Sequence, residues 1–268
     1  MQQAIAILDS GVGGLTVAKE VMRQLPQEKI LYFGDTARTP YGPRPAEEVL
    51  AFTHQIVDYL LQYDPKMIVI ACNTATAVGL QEIRARVDIP VLGVIHPGVR
   101  AAIKITKSNR VGVIGTEGTI RSGAYEQALR QISPFVTVEQ LACPQFVTLV
   151  ENGQTHGVET ERIVAETLHP MKSKEIDCLI LGCTHYPFLT DVIGKVMGED
   201  VHLISSADET AREISTILYH RGQLMQSGEV PVHQFFSSGD AQLFKDIASN
   251  WLQQEIQVTP VSWHTVRP

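Results

Sequence analysis

Two stretches of this chain read alike, and together they constrain most of what it can fold into. Met67-Ile68-Val69-Ile70-Ala71-Cys72-Asn73 and Cys178-Leu179-Ile180-Leu181-Gly182-Cys183-Thr184 are each a short apolar run with a cysteine just past its end. An apolar run of this length reads as a strand buried on both faces, and such strands belong to parallel sheets covered by helices. A second likeness lies upstream of each. Ile5-Ala6-Ile7-Leu8-Asp9-Ser10-Gly11 matches Val111-Gly112-Val113-Ile114-Gly115-Thr116-Glu117, and a helical pattern follows both. Asp9 and Gly115 are 106 residues apart, and Cys72 and Cys183 are 111 apart. Two features that recur in the same order at nearly one spacing point to a duplicated unit.

The expected fold is therefore α/β, with two pseudo-symmetric flavodoxin-like or Rossmann-like domains. Their sheets should be mostly parallel, with an active site in the cleft between them. Ile30-Leu31-Tyr32-Phe33 reads as a further strand of the first half. Pro45 suits the first turn of a helix whose apolar stripe is Val49, Phe52, Ile56, Leu60 and Tyr63. From about Asp208 the chain adds a helix, a strand near Phe235-Phe236, a helix capped near Asp240, and a last strand at Ile256-Gln257-Val258-Thr259. This tail has no counterpart between the repeats, so it most simply rejoins the first half. Residues 1–94 plus 206–268 then form a discontinuous first domain, and residues 95–205 the second.

Composition narrows the function. With 44% hydrophobic and 19% charged residues over 268 positions, the chain can bury a core and is not a disordered one. A net charge of −7 argues against nucleic acid as a primary partner, since phosphate binding wants a basic surface. No apolar run reaches the roughly 20 residues of a membrane span, and no signal-peptide pattern opens the chain. A cytoplasmic location is expected. The oligomeric state, monomer or homodimer, stays open.

Gly11-Val12-Gly13-Gly14 has Thr16 where a dinucleotide fingerprint wants its third glycine, and no phosphate-binding P-loop pattern occurs. The four cysteines carry more. Cys72 and Cys183 each stand between a strand's carboxyl end and a helix's amino end, where open α/β sheets bind ligands. Free N–H groups and partial positive charge there should lower a thiol pKa toward neutrality. Cys143 and Cys178 read instead as buried apolar thiols. Cys178, Cys183 and His185 also spell C-x4-C-x-H, but a strand turns Cys178 and Cys183 to opposite faces and no fourth ligand is near, so zinc is the weaker reading. Asp9, at the end of the first strand, would cap the following helix or assist a thiol in proton transfer. His185 has the same choice beside Cys183. Glu151 lies in an apparent turn, and its surroundings give it no role.

If the halves pack about a pseudo-twofold axis, the two cysteines flank one cleft. One thiolate could then take a proton from a carbon between them while the other thiol returns one to the opposite face, inverting the centre without a cofactor. A disulfide-exchange enzyme would want C-x-x-C, which is absent. A cysteine hydrolase with one nucleophile and an amino-acid-binding protein are the readings from other classes.

Four motifs carry a family resemblance: Asp9-Ser10-Gly11-Val12-Gly13-Gly14-Leu15-Thr16, Gly34-Asp35-Thr36-Ala37-Arg38-Thr39-Pro40-Tyr41-Gly42, Ala71-Cys72-Asn73-Thr74-Ala75-Thr76 and Gly182-Cys183-Thr184-His185-Tyr186-Pro187. On them the chain resembles the glutamate racemases from residue 4 to about residue 260. The resemblance implies cofactor-independent interconversion of L- and D-glutamate, supplying D-glutamate for peptidoglycan. It implies no metal. It makes Cys72 and Cys183 the acid/base thiols, with Cys183 acting on L-glutamate and Cys72 on D-glutamate. Asp9 and His185 become their helpers and Glu151 a further assistant. Asp9, Ser10, Tyr41, Gly42, Asn73, Thr74, Thr184 and His185 would hold substrate. An aspartate racemase of the same superfamily is the alternative within the class.

Overall fold

A computed structural model describes residues 3–263, apart from Ser227 and Glu229. The last five residues of the expected first domain, 264–268, lie outside the described residues. The first half of the chain runs β1 (Ile5–Asp9), α1 (Leu15–Gln24), β2 (Ile30–Gly34), α2 (Ala46–Leu61), β3 (Met67–Ile70), α3 (Asn73–Arg86) and β4 (Val91–Gly93). The second runs α4 (Ile95–Ile105), β5 (Arg110–Gly115), α5 (Glu117–Arg121), α6 (Ala124–Ile132), β6 (Thr137–Ala142), α7 (Pro144–Glu151), α8 (Val158–Lys172), β7 (Cys178–Gly182), α9 (Thr190–Met197) and β8 (His202–Ile204). The tail adds α10 (Ser206–His220), β9 (Gln234–Ser237), α11 (Ala241–Leu252) and β10 (Val258–Pro260).

Two sheets result, in the orders β10-β9-β2-β1-β3-β4 and β6-β5-β7-β8. Every pairing in both is parallel. The repeat read from the sequence is visible as topology: β2-β1-β3-β4 in one sheet corresponds strand for strand to β6-β5-β7-β8 in the other. The tail does rejoin the first sheet, because β9 pairs with β2 from Leu31↔Gln234 to Gly34↔Ser237.

Strand alternation explains why these apolar runs are continuous. In β1, Ile5 and Ile7 face a core shared with Leu15, Val21 and Phe244, while Ala6 and Leu8 face another shared with Val49, Ile56 and Ile83. Both faces are covered by helices, so no position in the strand can be polar until Asp9 at its end. Ile95, Val99 and Ala102 of α4 join the core of the second sheet with Val111 and Ile180. Ala207, Ala211, Ile214 and Leu218 of α10 join the first. On that basis we propose domain boundaries at 94/95 and 205/206. Among the described residues, no helix is long and apolar enough to cross a membrane.

Some local readings shift. Pro45 is the residue before α2, not inside its first turn, and Tyr63 lies beyond the helix and is exposed. The helix after β5 breaks into α5 and α6 where Gly123 takes a left-handed backbone at φ 66°. Cys183 does not lead straight into an α-helix. A 3-10 turn, Tyr186–Leu189, intervenes before α9. There the Tyr186 hydroxyl is buried and donates to the Cys143 carbonyl at 2.9 Å.

One buried ion pair fastens the tail. Lys66 Nζ stands 2.6 Å from Glu28 Oε2, with both side chains almost wholly buried. Lys66 also donates to the Gln223 carbonyl at 2.7 Å, and Glu28 Oε1 accepts from the Met225 amide at 2.9 Å. The pair thus ties the segment after α10 to the entrances of β2 and β3, ahead of β9. Lys66→Met strands the Glu28 carboxylate and is expected to cost about 3–5 kcal/mol. Urea denaturation checks this; a loss under about 1 kcal/mol would contradict it.

Candidate active site

The carboxyl ends of β1 and β3 lie side by side, since Leu8 pairs with Ile70 and the Ala71 amide bonds the Leu8 carbonyl at 2.8 Å. This sets Asp9 beside Cys72. In the second sheet Gly115 pairs with Gly182, so Thr116 and Cys183 leave their strands as neighbours. One narrow pocket is lined by both cysteines together with Ser10, Tyr41, Gly42, Asn73, Thr74, Thr184 and His185. The two halves therefore bring nine of the eleven candidate residues named from the sequence to a single space.

Asp9 and Glu151 stand behind that lining. Asp9 is fully buried, and its Oδ2 accepts from the Gly11 and Gly14 amides at 3.1 and 2.9 Å. This satisfies N–H groups of the glycine turn ahead of α1, although no side chain caps the helix itself. Its other oxygen accepts from the Thr184 hydroxyl at 3.3 Å, a bond between the two halves. Glu151 ends α7 rather than lying in a turn, and its Oε1 is 2.6 Å from His185 Nε2. The other ring nitrogen, Nδ1, lies 3.8 Å from the Cys183 sulfur. Carboxylate, imidazole and thiol thus form a line that ends in the pocket.

Electrostatics differ between the two thiols' surroundings. Cys72 is the residue before α3, and its sulfur accepts from the Ala75 amide at 3.5 Å. The expectation that this helix end lowers its pKa does not hold. Burial first, and the Asp9 charge second, push the Cys72 thiol up to about 12, outweighing the bonds from Ala75 and Ser10. Burial also raises Asp9. For His185 burial opposes the charged ring, but hydrogen bonds to Cys183 and Glu151, and the charges of both, lift it to about 10. Cys72 is thereby held as a neutral thiol and His185 as an imidazolium.

The close packing has a steric signature. A Cβ on Gly13 would stand 2.4 Å from Thr184 Oγ1 and 2.6 Å from His185 Nδ1, so only glycine lets the first turn approach the second half's catalytic candidates. On the other side the Gly118 amide donates to the Gly42 carbonyl at 2.9 Å, and Thr74 shares its hydroxyl with Thr116 at 2.8 Å.

Other expectations sort by geometry. Cys178 faces away from the pocket, in the core with Val113 and Ile180, while Cys183 packs with Tyr186 and Phe146, so C-x4-C-x-H does not converge. Cys143 is buried, and its thiol is pushed up to about 12 by burial and by Cys183. Tyr41 lines the pocket, yet its hydroxyl is given to Asp35, which also receives Arg38, Ser238 and Trp263. Tyr41 thus offers its ring and backbone, not its hydroxyl. The sequence reading missed Thr39, Pro40, Thr116 and Val147, which complete the lining. Thr116 was within reach, since it occupies in the second repeat the place of Ser10 in the first.

Two thiols delivered by two related halves to one pocket, one beside a carboxylate and one beside an imidazole, are the equipment of a racemase. A family model described as Asp/Glu/Hydantoin racemase matches residues 14–214, and the chain belongs to that family. A glutamate racemase of Bacillus cereus is 57% identical over 257 residues, 96% of this chain and 96% of that one. The crystal structure of glutamate racemase isoform RacE1 from Bacillus anthracis has a TM-score of 0.95 at 50% identity, covering 97% of this chain and 98% of that one. A second solved glutamate racemase, from Francisella tularensis in complex with D-glutamate, has a TM-score of 0.90 at 35% identity, covering 97% and 98%.

Proposed function

We propose that this protein is an amino-acid isomerase that interconverts L- and D-glutamate by two-base proton transfer at Cα, without a cofactor. The observation that carries the mechanism is the placement of Cys72 and Cys183, from different halves, in one pocket. One sulfur, as thiolate, takes the Cα proton. The other, as thiol, gives a proton to the opposite face. The thiolate ends protonated and the thiol ends as thiolate, so one turnover leaves the pair poised for the reverse reaction. With Cys72 held neutral, the resting site is set to donate from the Cys72 side. On the other side the charged His185 ring, steadied by Glu151, stands against Cys183 and balances negative charge on its sulfur when it acts as base. When Cys72 must act as base, Asp9 is the adjacent acceptor, and its raised pKa brings it closer to the thiol it relieves.

The hydroxyls of Ser10, Thr74 and Thr184 and the amide of Asn73 suit an amino acid with two carboxylates. D-glutamate made in this way feeds peptidoglycan synthesis, and a cytoplasmic location is part of the same proposal. Proton NMR of L-glutamate in D2O, with the dialysed protein and nothing else added, tests the function. The Cα signal should vanish while the other resonances remain, and D-glutamate should accumulate. A persistent Cα signal, or conversion of aspartate as fast as glutamate, would overturn the assignment.

A further inference from the structure

Asn73 and Tyr125 belong to different halves and meet behind the pocket. Asn73 opens α3 directly after Cys72, and Tyr125 is the second residue of α6. Tyr125 is fully buried, with its ring packed so close to β7 that a Cβ on Gly182 would stand 2.9 Å from Tyr125 Cε2. Its hydroxyl donates to Asn73 Oδ1 at 2.6 Å. Ser206, the first residue of α10, stands against the same phenol. The phenol has one proton, and it goes to the amide carbonyl. The Asn73 amide is then fixed in one of its two orientations, with Nδ2 turned away from Tyr125.

Asn73 is 3% exposed and lines the pocket that holds both cysteines. The oxygen takes the phenol proton, which leaves Nδ2 as the donor side of the amide. An amide nitrogen at the wall of a pocket offers two N–H groups to an anionic ligand. We infer that Tyr125 is a positioning residue: it locks the Asn73 amide so that both N–H groups face a substrate carboxylate. Because the phenol comes from the second half and the amide from the first, the donor is set only when the two halves are together.

This inference rests on the reading of the pocket as a glutamate site. The test is Tyr125→Phe, which keeps the ring and removes only the hydroxyl, alone and combined with Asn73→Ala. A hydrogen bond to a charged group that is held equally in ground and transition states appears in KM. Tyr125→Phe should raise KM for both enantiomers about tenfold and change kcat less than about threefold. In the Asn73→Ala background the same change should have no further effect, because the amide it orients is gone. Thermal unfolding is measured alongside, since a merely structural role would lower the midpoint without separating KM from kcat. Should Tyr125→Phe fail to fold, Ser206→Ala takes its place, with a smaller rise in KM that likewise disappears in Asn73→Ala. If Asn73→Ala raises KM while Tyr125→Phe leaves it unchanged, or if the two effects multiply, the positioning role is wrong and the glutamate site stands. If Asn73→Ala leaves KM unchanged, the assignment of Asn73 to substrate fails, and the inference with it.

Discussion

Cys72→Ser and Cys183→Ser should each lower racemisation by at least about a thousandfold, because a serine hydroxyl is a far weaker acid than a thiol and a poor base here. The two variants should still differ in half of the reaction. Elimination from a substrate with a β-leaving group needs only removal of the Cα proton, so it asks for one base. Cys72→Ser should keep elimination from the L-form through Cys183, and Cys183→Ser should keep it from the D-form through Cys72. Measuring pyruvate from the two β-chloroalanine enantiomers decides the matter. One variant inactive on both enantiomers and the other active on both would mean a single base, and the two-thiol mechanism would fall.

His185→Asn is expected to have the next largest effect, a fall in kcat of about 10²–10⁴. Asparagine preserves polarity and some hydrogen bonding but cannot carry the proton that His185, lifted to about 10, holds beside Cys183. Glu151→Gln should cost much less, about tenfold, since Glu151 acts only through the 2.6 Å contact with His185 Nε2. The two losses should not multiply, because both act on one line of groups. Elimination from β-chloro-D-alanine, which needs Cys72, should be nearly spared in both variants. Equal damage to both enantiomers would show that His185 serves the whole fold and not the Cys183 side.

The sheet centres and the two cysteines were legible because buried parallel strands leave an unmistakable apolar run, and the repeat marked which strand ends matter. Asp9 and His185 were legible by proximity in sequence to those ends. Glu151 was not legible from its surroundings, and only the family resemblance named it: 34 residues separate it from His185, and only the packing of α7 against the turn after β7 joins them. Nor was the state of the thiols. The sequence displays the helix end behind Cys72, but it does not display the depth at which the sulfur lies or the carboxylate beside it, and those two decide the sign. Tyr125 was equally silent, since a tyrosine within a helical apolar pattern reads as core and its hydroxyl partner sits 52 residues earlier, beside the other sheet. Thr116 shows a different failure. The repeat carried the signal, but it was applied to the cysteines and not to the residues beside Asp9 and Gly115.

The depth of Cys72 bears on how the protein survives between turnovers. Peroxides, disulfides and alkylating agents consume thiolates, and their attack slows sharply on a neutral, shielded sulfur. A Cys72 thiol held up to about 12 and only 5% exposed presents little of the reactive form to such agents. Burial that makes this group a reluctant acid at rest is therefore also chemical armour.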